Sequence, residues 1–361
     1  MSTPARESYK TAGFAEFYDA MIEALPPEFE AGRDVQHVYW PLLTELAAAA
    51  AKGGSASPAS GSAAAGGRRP ANTVVLDLCC GSGRVALALA AKWAAWGGRP
   101  AGAALVMAGV DSSEEMLAAA RAKQVAQAGA DGSTGKDGAT ASIGWRCAHM
   151  AALGANPALA ALRRQCSLAV VSAGSFHHLL TSADQAACLR GLAACLQPAP
   201  APAFVVLNIF NPAHLQAAPG EPVVVGPFRR TCLSQAREAA PDGGAVWRQR
   251  FLLERYASGA AAAGAAGAAA AEEGNDSGAR SSGGSDSGAS EAPLWQREEE
   301  WALREVRPAE LERLAAEAGL QVVWRQARWS DGWPGMSSIG QGGACGCRLE
   351  DARIFVLRLA A

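Results

Sequence analysis

Along the chain the spacing of apolar residues changes character three times. From Phe14 to Leu25 they fall three and four apart, at Phe14, Phe17, Tyr18, Met21, Ile22 and Leu25, which predicts an amphipathic helix closed by Pro26 and Pro27. A second helix is predicted over Val35 to Ala50. Then the helical period gives way to short apolar runs. Val74 to Leu78 is unbroken β-branched and aliphatic sequence, the mark of a strand buried on both faces, and Gly81 and Gly83 end it in a tight turn before a helical segment running to about Trp96. The alternation continues with a strand at Ala104 to Val110, a helix over Ser113 to Gln127 and a strand at Ile143 to Cys147. A strand at Leu168 to Ser172, a helix over Ser182 to Leu196 and a strand at Phe204 to Ile209 complete the series. Repeated βα units of this kind predict an α/β fold with a parallel, right-handed, doubly wound sheet. Ligands of such sheets lie beyond the carboxyl ends of the strands where strand order reverses, which groups Asp77, Asp111, His149 and the stretch from Ser172 to His178 around one crevice.

After Asn211 and Pro212 the pattern shifts to charged alternation. Val223 to Val225 and Val246 to Tyr256 read as exposed-edge strands, and Leu294 to Val306 as the second arm of a hairpin. Ser258 to Pro293, almost wholly Ala, Gly, Ser and acid, interrupts that hairpin and reads as disordered. PAELERLAAEAGL is a helix with Pro308 in its first turn and Gly319 past its end, and strands follow at Gln321 to Gln326 and Arg353 to Leu359. Lys52 to Ala71 has linker composition. The expected organisation is a helical cap (1–52), a flexible linker (53–71), a nucleotide-type core (72–212) and a part that completes the sheet and walls the substrate (213–361), with 258–293 as an insertion.

Composition narrows this reading. Alanine inflates the hydrophobic content of 50%, yet ten Trp and nine Phe supply the large side chains of a real core. A net charge of −2 with no basic stripe disfavours a nucleic-acid partner. The nine cysteines are scattered, and Cys79 and Cys80 sit inside the glycine turn, so a reducing compartment is expected and not a disulfide framework. Cys345 and Cys347 lack a second pair at zinc spacing, so no metal site is expected. No apolar run reaches the length of a membrane span, and MSTPARESYK has no apolar signal core. Cytosol is the expected compartment, with a short organellar presequence as the alternative.

The glycine turn carries the chemistry. Backbone freedom there and the unpaired N–H groups of the following helix suit a negatively charged or nucleotide-like group. GSGRVA also satisfies the dinucleotide fingerprint, which leaves a nicotinamide cofactor open. Asp77 before the turn and GVDSSEEMLAAAR at the next strand end favour another class. LDLCCGSGR followed by GVDSSEEML resembles the first two motifs of the class I S-adenosylmethionine-dependent methyltransferases, and the likeness continues through VVSAGSFHHLL and LQPAPAPAFVVLNIFNP, covering most of Thr73 to Pro212. The resemblance implies a Rossmann-like seven-stranded sheet with S-adenosyl-L-methionine as cofactor. It places Asp77, Cys79, Gly81 and Gly83 at the methionine moiety, Asp111 and Ser112 at the ribose, and Met116 against the adenine. His149 and Met150 stand at the adenine edge, Ser172 borders the crevice, and Tyr18 of the cap lies beside the methionine end.

Two residues depart from the family pattern. Cys79 replaces the usual first glycine of the turn, and is small enough that its backbone is expected to fit. His149 replaces an aspartate, and is expected to accept a hydrogen bond from the adenine amine through a neutral nitrogen. His178, and less so His177, is the candidate catalytic residue, because this segment faces the transferring methyl in the family. Trp324, Trp329 and Trp333 are candidates for an aromatic acceptor wall, and Arg304 and Arg229 for a substrate carboxylate clamp. The expected activity is methylation of O or N on a small-molecule acceptor. A catalytically inactive scaffold and a nicotinamide-dependent oxidoreductase are the alternatives. The oligomeric state has no signature in the sequence.

Overall fold

The computed structural model describes residues 13–24, 32–53, 72–131, 141–215, 218–240, 242–257, 292–338, 347 and 349–360. The segment Ser258 to Pro293, the linker and Cys345 therefore lie wholly or largely outside the described residues.

Seven strands form one sheet. They are β1 (Thr73–Leu78), β2 (Leu105–Asp111), β3 (Ala141–Cys147), β4 (Leu168–Val171), β5 (Phe204–Asn208), β10 (Leu320–Gln326) and β11 (Ile354–Leu359), in the order β10-β11-β5-β4-β1-β2-β3. The five strands β1 to β5 are mutually parallel and β11 alone runs against its neighbours, as the doubly wound reading with late antiparallel strands requires. Strand order reverses between β1 and β4, so the crevice opens there.

Alternate residues of the central strands feed two cores. Leu76, Leu78, Val171, Val205 and Leu207 pack with α5 (Ser182–Cys195) and α6 (Pro308–Glu317) on one face. Val75, Leu105, Val170 and Val206 pack on the other with α2 (Trp40–Gly53) and α3 (Arg84–Ala95). Each such Val or Leu contributes roughly 1.5–3 kcal/mol on full burial, which is why the strands read as continuous apolar runs.

Strand and helix existence follows the sequence reading, with ends moved by a few residues. The second helix is the exception in kind: it opens with a π-helical turn, Val35–Tyr39, before α2 begins. The long strand β7 (Phe228–Ala239) has no counterpart in the sequence reading, because only Phe228 and Cys232 are buried on its descriptive face and no period of two marks it. It joins β6 (Pro222–Val225), β8 (Ala245–Arg255) and β9 (Trp295–Arg304) in a second, antiparallel sheet of order β6-β7-β8-β9. Cross-strand charges tie it together: Arg248 bridges Glu238 and Glu300, and Arg230 lies over the rings of Phe251 and Trp301.

The helix α1 (Phe14–Ala24) is pinned over the carboxyl edge of the main sheet. Glu115 accepts its Phe14 N–H at 3.0 Å, Asp19 accepts from the Ser82 hydroxyl and pairs with Lys123, and Arg255 reaches Glu16 from the second sheet.

Candidate active site

A cavity of about 240 Å³ lies where the strand order reverses. Its walls come from α1 (Tyr18), the turn after β1 (Cys79, Gly81), the end of β2 (Asp111, Ser112) and α4 (Glu114–Asp131; Met116). The loop after β3 adds Ala148, His149 and Met150. The segment after β4 adds Ala173, Ser175 and His178 to Thr181, and α5 adds Asp184.

The turn after β1 is built locally. Asp77, wholly buried at the strand end, reaches over the turn so that its Oδ2 accepts the Ala86 N–H of α3 at 3.1 Å. Its Oδ1 has no protein partner, and burial raises its carboxyl to about 7 despite the nearby Arg84 guanidinium. Asp77 therefore stands behind the turn and not in the cavity wall. Cys79 takes φ +60°, the left-handed region in which an L side chain costs about 1–2 kcal/mol, and this is the reason glycine suits the position. The expectation that its backbone fits without consequence is corrected: it fits under strain. Its sulfur rests 3.6 Å from that of Met150, and burial beside Asp111 keeps the thiol protonated. Gly81 lines the cavity; a Cβ there would meet Met116 (3.3 Å) and Tyr18 (3.8 Å). Gly83 begins α3 and, like Asp77, does not line the cavity.

At the end of β2 the Asp111 carboxylate accepts from Gly81 N–H and Ser113 N–H, both at 2.9 Å. Burial raises its pKa, opposed by these N–H donors and by that of Ser112, and the carboxylate, with about four lone-pair sites, keeps accepting capacity for a ligand. Tyr18 stacks on Phe14 and, being held in an apolar setting, is pushed up to about 12, so it stays a phenol. Arg84 is held by a bidentate pair with the buried Asp34 at 2.6 and 2.8 Å, which locks the cap onto the first turn of α3.

His149 lines the cavity beside Met150, and its Nδ1 accepts the Ala151 N–H at 3.3 Å, which commits that nitrogen to the turn.

The two histidines after β4 divide sharply. His177 is fully buried, with Nδ1–H donating to the Arg304 carbonyl at 2.6 Å and Nε2 accepting the Phe210 N–H at 2.9 Å. Both nitrogens are committed, burial lowers its pKa to about 4, and it lies outside the cavity wall, so it is a structural bolt and not a catalytic candidate. His178 is half-buried and faces the cavity. Burial and the adjacent His177 lower it to about 4, against a hydrogen bond with the Ala302 backbone. Thus β9 grips consecutive histidine rings through Ala302 and Arg304. Ser172 is buried beneath this turn, its carbonyl accepting from the Ser175 N–H and hydroxyl, and does not line the cavity.

Other sequence candidates lie elsewhere. Arg304 is 2% exposed and bonded to Glu310, Asp242 and Gln185, which leaves it no reach toward a substrate. Arg229 lies over Tyr256 beside Glu254 in the second sheet. Trp324, Trp329 and Trp333 pack on the α2 side of the main sheet, Trp329 against Tyr39 and Trp333 donating to Glu45, so they form no acceptor wall. Thr181 and Asp184 are cavity residues that the sequence reading did not single out. The signal was present as a capping pattern, Thr181 followed three residues later by Asp184 before an apolar run.

Residues 75–199 match a family model described as a methyltransferase domain. No curated protein matches the chain. Among solved structures, the CcbJ methyltransferase from Streptomyces caelestis is similar at 20% identity, covering 99% of each chain with a TM-score of 0.54. An S-adenosylmethionine-dependent methyltransferase from Clostridium acetobutylicum ATCC 824 is similar at 12% identity, covering 96% of this chain and 98% of its own, with a TM-score of 0.52. Both likenesses are of fold.

Proposed function

We propose that residues 75–199, which match a methyltransferase domain, form a class I, S-adenosylmethionine-dependent methyltransferase domain, and that the enzyme transfers a methyl group to O or N of a small molecule bound in the cavity beside His178. The observation that carries the reading is the convergence of Asp111, Met116 and the strained glycine turn on one cavity at the reversal of strand order.

The residues present fit the cofactor. The Asp111 carboxylate suits vicinal ribose hydroxyls, Met116 and Met150 offer soft thioether faces for an adenine, and Gly81 keeps its part of the cavity wall clear of a Cβ. Asp77 acts from behind, holding the turn through Ala86. S-adenosylmethionine supplies an electrophilic methyl group on a sulfonium. The chain's contribution is to hold the acceptor in line with it and keep the site dry, through Leu179, Leu180 and the two methionines. His178, neutral at physiological pH and oriented by Ala302 at the cavity wall, is placed to accept a proton from an acceptor hydroxyl or amine. Tyr18, a neutral phenol, is placed to donate a hydrogen bond from the cap.

Calorimetric titration with S-adenosylmethionine, S-adenosylhomocysteine and NAD in parallel tests the cofactor. Micromolar binding of the first two alone is expected, and Asp111→Ala should weaken it by roughly 10- to 100-fold, the size of a lost charge-assisted pair. Binding of NAD alone would restore the oxidoreductase reading, and binding of none the scaffold reading.

A further inference from the structure

The cavity has two carboxylates, and the cofactor reading uses only one. Asp111 ends β2; Asp184 enters from the other side of β1, on the first turn of α5 after β4. Asp184 is half-buried, its Oδ2 accepts from the Thr181 hydroxyl at 3.0 Å, and among the described residues its Oδ1 has no hydrogen-bond partner. Among the described residues no lysine or arginine lines the cavity. Arg304, bonded to Gln185 beside Asp184, is spent on Asp242 and Glu310. The cavity wall also carries Leu179 and Leu180, the latter packed on Ala240, Val246 and Ala302. An anionic acceptor entering this end would meet a carboxylate with no opposing cation; an ammonium would meet its counter-ion.

We propose that Asp184 and Thr181 form the recognition subsite for an amine-bearing methyl acceptor, with the Asp184 carboxylate pairing with an ammonium group. This rests on the methyltransferase reading for the word acceptor, but the subsite itself is a statement about charge. Its role is separable from helix capping, because Thr181 Oγ caps α5 through the Asp184 backbone N–H at 3.1 Å, which a side-chain change leaves in place.

The test uses benzylamine, benzyl alcohol and benzoate as matched cation, neutral and anion probes, titrated into the full chain at neutral pH with and without S-adenosylhomocysteine. Benzylamine should bind at least about tenfold tighter than either other probe, as expected for a charge-assisted contact. Asp184→Asn should remove that preference, leaving benzyl alcohol and S-adenosylhomocysteine affinities unchanged, and Asp184→Glu should restore it in part. Equal binding of the three probes, binding of none, a preference for benzoate, or a preference that survives Asp184→Asn would each overturn the subsite. Failure of S-adenosylhomocysteine to bind while the benzylamine preference holds would instead strike at the cofactor reading.

Discussion

Two turns face each other across the crevice, and they solve one geometric problem in different ways. Each follows a buried parallel strand, each carries an L residue in left-handed backbone (Cys79 at +60°, Ala173 at +53°), and each is followed closely by a left-handed glycine (Gly81 at +54°, Gly174 at +67°). Each also buries a titratable side chain, Asp77 in the first and His177 in the second. The first turn is held by its own helix, the adjoining strand and the cap: the Asp77 carboxylate reaches nine residues along the chain to Ala86, Gly81 N–H donates to Asp111, and the Ser82 hydroxyl donates to Asp19. The second is held from afar, with Gly174 N–H on Asn208, His177 between Phe210 and Arg304, and the Phe210 ring against the backbone of Gly174. Strained backbone persists where its surroundings over-determine it. Here one turn is fixed by its own helix, the adjoining strand and the cap, and the other by two sheets at once.

Exchanging the glycines should separate the two most. A Cβ on Gly174 would lie 2.0 Å from the Phe210 ring, so Gly174→Ala should cost about 3–4 kcal/mol in denaturant unfolding through overpacking and strain together. Gly81→Ala would meet only the flexible tips of Met116 and Tyr18 and should cost about 1 kcal/mol. Equal losses would refute the contrast.

The buried groups should also pull in opposite directions with pH. His177 titrates near 4 in the fold against 6.5 ordinarily, so its contribution is present above pH 6.5 and is lost as pH falls toward 4. Asp77 is raised from 3.8 to about 7, so its contribution is full below pH 3.8 and is lost as pH rises through 7. The two largely offset one another between pH 4 and 6.5. Asp77→Asn should expose the histidine slope, a loss of roughly 3 kcal/mol on acidification over that window, with His178 adding in the same sense. A wild-type and Asp77→Asn pair with parallel stability profiles would show that the opposition does not exist.

Removing the long-range bolt itself should cost less. His177→Phe keeps the ring volume but leaves the Phe210 N–H and Arg304 carbonyl unpaired, an expected loss of about 2 kcal/mol measured by thermal or chemical unfolding. The smallest effect is a gain. Ala173 is exposed with φ +53°, so Ala173→Gly should stabilise by about 1 kcal/mol through backbone relief alone.

The same contrast explains what could be read from residues alone. The first turn is legible because its determinants, an apolar run, an acid, two glycines and a helix, are contiguous. The neighbouring Asp111 and Met116 were legible for the same reason. The histidine turn looked like a chemical motif, but which ring works and which is a bolt depends on carbonyls at Ala302 and Arg304, more than a hundred residues away. Trp329 and Trp333 were misplaced because an aromatic near the C-terminus says nothing about which sheet face receives it. Likewise β7 lacks alternation because most of its side chains are not buried.

The pairing of β8 with β9 has a consequence for how this chain can change length. Arg255 lies opposite Trp295 and its carbonyl accepts the Leu294 N–H at 2.7 Å, so the polypeptide leaves and re-enters the second sheet at a single hydrogen-bonded rung. Whatever stands between those residues closes on a point already fixed, and the entropy of closure grows only logarithmically with the number of residues enclosed. Natural drift or deliberate grafting can therefore shorten, lengthen or replace 258–291 there at low cost. For protein engineering, that rung is the natural port for a fluorescent reporter, an affinity tag or a regulatory module.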